Sequence, residues 1–171
     1  MTPKKYLSLF IVLFLLNGIN QALAGKTVIV PMFLTDDTVE GKNIGTIKIE
    51  NESCGVLFIP NLHDLPPGVH GFHIHEKPSC ADKGMAALSH YDPAKTEKHE
   101  GPYEKHGHKG DLPVLIVDKN GHASLPSLAP HLKLSMLKNH AIMIHAGADN
   151  YADTPEKLGG GGARIACGVI H

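Results

Sequence analysis

Hydrophobic and polar positions along the chain fall into short runs rather than long stripes. Residues 26–34, 44–50, 55–60, 69–76, 115–118, 122–125, 140–145 and 164–170 are rich in β-branched and other apolar side chains, with turn-forming residues between them. Runs of that length and composition predict strands. Asp118-Lys119-Asn120-Gly121 has the composition of a hairpin turn between two of them. No long stretch carries a helical repeat. Eight short strands in one chain of this size predict an all-β fold, an antiparallel sandwich or barrel.

Two segments break the pattern. Residues 77–113 mix Pro, Gly, Asp, Lys and His without sustained apolar alternation. Residues 146–163 run through Asp149, Asn150, Asp153 and Pro155 into Gly159-Gly160-Gly161-Gly162. Irregular loops this long are uncommon in compact domains and usually carry function. The glycine run lacks the Lys-Ser/Thr that follows in a phosphate-binding loop. There is no internal repeat and no sign of a second domain.

The first 24 residues read as a cleaved secretory signal peptide. Lys4 and Lys5 form a basic start, residues 6–16 an apolar run, and Ala22-Leu23-Ala24 a small-x-small cleavage site. The run is shorter than the roughly 20 apolar residues needed to cross a bilayer. Gly25 stands where a lipoprotein would need Cys. The expected product is residues 25–171, one domain. Lys4 and Lys5 are two of the 16 basic residues set against 17 acids, so that product carries a net charge of −3. Nothing in this balance suggests nucleic acid or an anionic membrane as a partner.

Three cysteines in an exported chain predict one disulfide and one spare thiol. Cys80 and Cys167 lie beside the histidine-bearing and glycine-rich segments and are the expected pair. Cys54, in the apolar run Cys54-Gly-Val-Leu-Phe-Ile, reads as a buried strand residue. A pairing of Cys54 with either of the others stays open. In the chain-entropy model, closing the loop between Cys80 and Cys167 contributes roughly 4–5 kcal/mol.

Histidine is the outlier in composition, with 13 residues against nine Tyr and Phe and no Trp. His73-Ile74-His75 falls in a predicted strand, where i and i+2 side chains share a face and can reach one metal. Alone this is weak, since roughly one His-x-His is expected by chance at this content, and His106-Gly107-His108 is another. His145 ends a second predicted strand and offers a third ligand. His90, His99, His108 and Asp111 then fall within 22 residues of one loop, a set able to form a tetrahedral zinc site. Imidazole suits copper and zinc alike, so the residues do not assign the metals by themselves.

The motifs in order, Gly71-Phe72-His73-Ile74-His75-Glu76, His90-Tyr91-Asp92-Pro93, Lys98-His99-Glu100-Gly101-Pro102 and His108-Lys109-Gly110-Asp111-Leu112-Pro113, resemble the copper,zinc superoxide dismutases. So do His145-Ala146-Gly147-Ala148-Asp149-Asn150 and the closing segment 162–170. Pro78-Ser79-Cys80 and Gly159 to Gly162 are similar to the bacterial, periplasmic branch. The resemblance implies an eight-stranded Greek-key β-barrel, an immunoglobulin-like sandwich with two functional loops. It implies copper on His73, His75, His90 and His145, and zinc on His90, His99, His108 and Asp111, with His90 shared. It implies disproportionation of superoxide to oxygen and hydrogen peroxide, with Arg164 guiding the anion, and antioxidant defence of the periplasm.

Asp149 is expected to link a copper histidine to a zinc histidine, and Cys80–Cys167 to tie the metal loop to the strand of Arg164. His70 is expected to be structural. His63, His106, His122, His131, His140 and His171 receive no role, and Lys109 and Lys157 read as solvated charges. Ser89 departs from the Gly or Pro common before the shared histidine. A metal carrier on the same fold would be expected to lack a copper histidine or the arginine, and a copper-only dismutase the zinc ligands. Monomer and homodimer remain equally open.

Overall fold

The computed structural model describes residues 27–35 and 41–171. The predicted signal peptide lies outside the described residues. Among the described residues the fold has nine antiparallel strands: β1 (Thr27–Leu34), β2 (Asn43–Glu52), β3 (Gly55–Leu62), β4 (Gly68–His70), β5 (Phe72–His75), β6 (Leu115–Val117), β7 (Ser127–Ala129), β8 (His140–His145) and β9 (Arg164–Ile170). Seven form one sheet in the order β5-β8-β9-β1-β2-β3-β7, and β4 pairs with β6. Three single turns of 3-10 helix, Met85–Ala87, Leu134–Met136 and Lys157–Gly160, are the helical content of the described residues.

Period-2 alternation explains the core. Val30 and Met32 of β1, Ile44, Ile47 and Ile49 of β2, and Val56, Phe58 and Leu62 of β3 are buried, with more exposed residues between most of them. Phe58 meets Phe72 edge to face, with centroids 5.7 Å apart at 84°. Each such side chain contributes about 1.5–3 kcal/mol when fully buried.

The same alternation, run through strands buried on both faces, separates core from chemistry. On β5, Phe72 and Ile74 enter the main core, so His73 and His75 face the other way. On β8, Ile142 and Ile144 enter that core. Ala141 and Met143 belong to a smaller cluster with Ala87 and Cys167, and His145 shares their face by the same period. The register pairs His73 with Met143 and His75 with Ala141, while His145 lies opposite Arg164 across an irregularity between β8 and β9.

Several sequence expectations are corrected here. The run 69–76 is split at Gly71 into β4 and β5. A Cβ at Gly71 would lie 3.1 Å from the His73 ring and 3.4 Å from the Cβ of His145, which leaves little room for any larger residue. Residues 122–125 form no strand; Ala123 only bridges to Leu62, and the pairing with β3 falls instead to β7, which the pattern missed. The Asp118–Gly121 turn does form, with Gly121 N–H donating to the Asp118 carbonyl at 3.0 Å. Cys54 is not a buried strand residue. It is exposed and free in the two-residue turn between β2 and β3.

The expected disulfide is present: Cys80 and Cys167 are bonded, with Cα atoms 5.7 Å apart. It joins loop 77–113 to the middle of β9. Such a bond belongs to an oxidising, extracytoplasmic setting. No helix among the described residues is long and apolar enough to cross a membrane.

Candidate metal centre

Outside the barrel, loop 77–113 folds back over the histidine faces of β5 and β8. Two isolated β-bridges fasten it: His75 to His90, and His73 to Asp111. Tyr91 N–H donates to the Ile74 carbonyl at 2.8 Å, and Ile74 N–H to the Gly110 carbonyl at 2.9 Å. A Cβ at Gly110 would lie 2.2 Å from that Ile74 oxygen, so only glycine permits this approach.

The result is two overlapping groups of ligand atoms. One atom each from His73, His75, His90 and His145 lie within 4.8 Å of one another, and so do atoms of His73, His90, His99 and Asp111. His108 joins the second group through the same carboxylate, its Nδ1 3.4 Å from Asp111. His90 Nδ1 and His99 Nδ1 approach the two oxygens of Asp111 at 2.8 and 2.9 Å. The His90 ring stacks on His73 with centroids 3.9 Å apart.

Hydrogen bonds hold the rings of His73, His75, His99 and His145 each by one nitrogen. Carbonyls and ionised carboxylates only accept, so the ring nitrogens facing them donate. His73 Nε2 donates to Asp149 Oδ2 at 2.7 Å, and His99 Nε2 to Asp149 Oδ1 at 2.8 Å. One carboxylate thus joins the two groups. His75 Nδ1 donates to the Leu88 carbonyl at 2.9 Å, and His145 Nδ1 to the Gly162 carbonyl at 3.2 Å.

The opposite atoms are left over. Among the described residues, six buried side-chain atoms have no hydrogen-bond partner: His73 Nδ1, His75 Nε2, His145 Nε2, His99 Nδ1, His108 Nδ1 and Asp111 Oδ2. His73, His75 and His145 fall with His90 in the first group, and His99 and Asp111, with His108 beside that carboxylate, fall with it in the second. Each unsatisfied buried polar atom costs about 1–3 kcal/mol; His99 Nδ1 and Asp111 Oδ2 meet only each other, as an ion pair at 2.9 Å, and the cluster as a whole fits a bound ligand. Three imidazoles on one side, and two imidazoles with a carboxylate on the other, are donor sets that suit copper and zinc.

Electrostatics keep the histidines of the first group in metal-binding form, whereas His99 has to shed a proton to bind a metal. Burial, reinforced by the charge of His90, lowers His73 to about 3, and burial lowers His145 to about 4. His75 and His90 are also pushed down, chiefly by burial. Neutral imidazole is the ligand. Burial would raise Asp111 and Asp149, but hydrogen bonds from the histidines outweigh it and hold both carboxyls well below the usual range. Burial would lower His99, yet Asp111 and Asp149 lift it to about 9.

Arg164 lies half-buried beside the first group. Its guanidinium donates to the carbonyls of Gly84 at 2.5 Å and Leu88 at 2.6 Å. Its charge helps to depress His75 and His145. The two accepting carbonyls belong to the loop anchored by Cys80–Cys167.

Other contacts were not legible in the sequence. His140 Nδ1 donates to the carbonyls of His75 and Glu76, and its ring lies 4.1 Å from that of Tyr91. Asp153, read only as a loop residue, accepts the His99 backbone N–H. His70 is structural as expected, its ring nitrogens 2.7 Å from the His145 carbonyl and 2.8 Å from that of Pro66. Among the remaining histidines, His63 contacts Asp64 and His131 contacts the Tyr103 carbonyl, both in exposed positions.

Comparison with known proteins agrees with this geometry. The family described as copper/zinc superoxide dismutase (SODC) matches residues 43–170. The superoxide dismutase [Cu-Zn] of Photobacterium leiognathi is 55% identical over 143 residues, 79% of this chain and 83% of that protein. The Cu/Zn superoxide dismutase structure from Brucella abortus superposes with a TM-score of 0.82 at 46% identity, covering 85% of this chain and all of that one. The monomeric copper, zinc enzyme from Salmonella enterica, a solution structure, gives 0.73 at 48% identity over 85% of this chain and all of that one. These neighbours make the fold a Greek-key β-barrel. With its barrel, its paired donor sets and its bacterial relatives in accord, the chain belongs to the copper/zinc superoxide dismutase family, whose reaction is the disproportionation of superoxide.

Proposed function

We propose that His73, His75, His90 and His145 hold copper, that His90, His99, His108 and Asp111 hold zinc, and that Arg164 guides superoxide to the copper side. The observation that supports this division is that the unpartnered ligand atoms belong to residues that group with His90 in two overlapping sets. The second geometric group contains His73 rather than His108. His73, however, is already held through Nε2 by Asp149 and faces His75 and His145 with Nδ1 free, which favours the copper side.

Bound there, copper would supply one-electron redox chemistry and zinc a fixed positive charge on the shared ring. The residues of the chain supply the rest. The protein is net negative and the substrate is an anion, so a localised positive charge must overcome the general repulsion. Arg164 provides it, and its two backbone acceptors limit where the guanidinium can move. With Nδ1 turned towards Asp111, His90 presents Nε2 to the copper side, the atom that would serve either as copper ligand or, when not ligating, as holder of the proton passed to the nascent peroxide. Two superoxide anions and two protons give one oxygen and one hydrogen peroxide, and solvent provides the second proton. Asp149 keeps His73 and His99 in fixed tautomers and orientations.

The proposal extends to export after Ala24 and residence in the periplasm, where the disulfide is stable. N-terminal sequencing of the exported protein is expected to begin at Gly25, and light scattering decides between monomer and homodimer. The test of the site is metal analysis with superoxide consumption by the copper- and zinc-loaded protein. One copper and one zinc per chain, with turnover that disappears when copper is chelated, is expected. Two tightly bound metals without turnover would overturn the assignment.

A further inference from the structure

His99 is held at two points by the segment 149–153, one through its ring and one through its backbone. Asp149 takes the ring nitrogen Nε2. Four residues on, Asp153 Oδ2 accepts the His99 backbone N–H at 3.0 Å, while its Oδ1 accepts the Leu158 backbone N–H at 3.2 Å. One carboxylate therefore spans from loop 77–113 to the turn that leads into Gly159–Gly162. Leu158 has left-handed backbone angles, φ 57 and ψ 38. A leucine keeps that conformation only where its surroundings hold it. The Asp153 bond and the Gly159 N–H bond to the Ala152 carbonyl do so.

Asp153 also stands between two clefts. One, of about 710 Å³, is lined by His99, Glu104, Tyr151 and Asp153 among others. The second, of about 400 Å³, is lined by His90, His108, Lys157, Leu158 and Asp153 among others. The first reaches His99, the second His90 and His108, and all three rings are more than nine-tenths buried. The carboxylate is the residue both clefts share, so it stands beside each approach from solvent to the acid-containing half of the centre.

We propose that Asp153 is a positioning residue for the zinc half, a clamp that fixes the His99 backbone against the Lys157–Leu158 turn and so retains the zinc. The inference rests on His99 being a zinc ligand. Without the clamp, His99 keeps the Asp149 bond to its ring but loses the anchor of its main chain, and the wall between the clefts loses both its fastenings. The three copper-side histidines carried on β5 and β8 have no bond to Asp153 and are unaffected.

The experiment follows metal release from copper- and zinc-loaded full-length protein into a chromophoric chelator, reading each metal separately. Loss of a residue that orients a metal ligand typically costs 10–100-fold in affinity. Asp153→Ala is expected to release zinc about 10–100-fold faster with copper release unchanged. Asp153→Asn, which keeps one acceptor oxygen and the side-chain volume, is expected to release it about tenfold faster, and it decides the matter if the alanine variant does not fold. Asp92→Asn is the control, because Asp92 accepts from Thr96 and from the Glu97 backbone in the same loop without touching a histidine. It is expected to leave zinc release as in the wild type.

Zinc release at the wild-type rate in both Asp153 variants would overturn the clamp. Equal acceleration by Asp92→Asn, or equal acceleration of copper release, would overturn it too, by showing general loosening. A wild-type protein that takes up copper but no zinc would instead overturn the ligand assignment, and the clamp with it.

Discussion

Three histidines of one half of the centre, His73, His75 and His145, stand on β5 and β8, whose opposite faces fill the barrel core. His99, His108 and Asp111 of the other half stand on loop 77–113. The first set is placed by sheet hydrogen bonds and the two-residue period, and the core that stabilises the fold also aims the ligands. The second set has no ladder beneath it. Its positions come from carboxylates and backbone contacts: Asp111 between the rings, Asp149 across the halves, and Asp153 on the His99 main chain. A strand-borne site is robust because it shares its support with the core, whereas a loop-borne site depends on a few polar bonds that can be cut singly.

The sharpest way to break this comparison is to remove one ligand from each half. His75→Ala is expected to reduce superoxide consumption to the level of chelated protein while zinc stays bound, as metal analysis would record. His108→Ala is expected to lose zinc first and to retain copper-dependent turnover. Loss of the same metal from both variants would refute two separable halves.

Asp149→Ala cuts the bond that joins them. Its expected effect is about 10–100-fold weaker binding at both halves, read by chelator competition for each metal in turn. An effect confined to zinc would mean that the strands alone orient His73. Arg164→Ala leaves both ligand sets intact and removes the charge proposed to guide superoxide. The rate of superoxide consumption is expected to fall about tenfold and to lose much of its dependence on ionic strength. A fall without any change in salt dependence would argue against steering.

Cys54→Ser is the smallest change. Cys54 lies exposed at the β2–β3 turn, so stability is expected to stay within about 0.5 kcal/mol and the contents of both metals to be unchanged. A larger loss would show a contact at that turn with the rest of the chain.

Legibility in the sequence followed the same boundary between strand and loop. Residues 140–145 and 164–170 emerge as strands with their predicted limits, because their apolar runs are continuous and end at turn residues. His122 to Leu125 misled, since alternating residues beside a hairpin turn resemble a strand, and only the partner available to β3 selected Ser127–Ala129. Cys54 misled for a related reason: an apolar neighbourhood suggests burial, but a two-residue turn exposes its residues whatever their hydropathy. His140 and Asp153 carried no signal, because both act on backbone groups that a motif does not record.

The sequence by itself determined most of the strands, the disulfide partners as the favoured pairing, and the residue types able to bind two metals, because period, composition and motif order are local properties of the chain. Only the tertiary structure decided that His90 lies between two donor sets, that Asp149 and Asp153 join loops some 50 residues apart in sequence, and that Arg164 is held by the carbonyls of Gly84 and Leu88. Those facts depend on which segments the closed barrel brings together. A hydrogen bond to a backbone carbonyl or N–H leaves no mark on the identity of the residue that offers it.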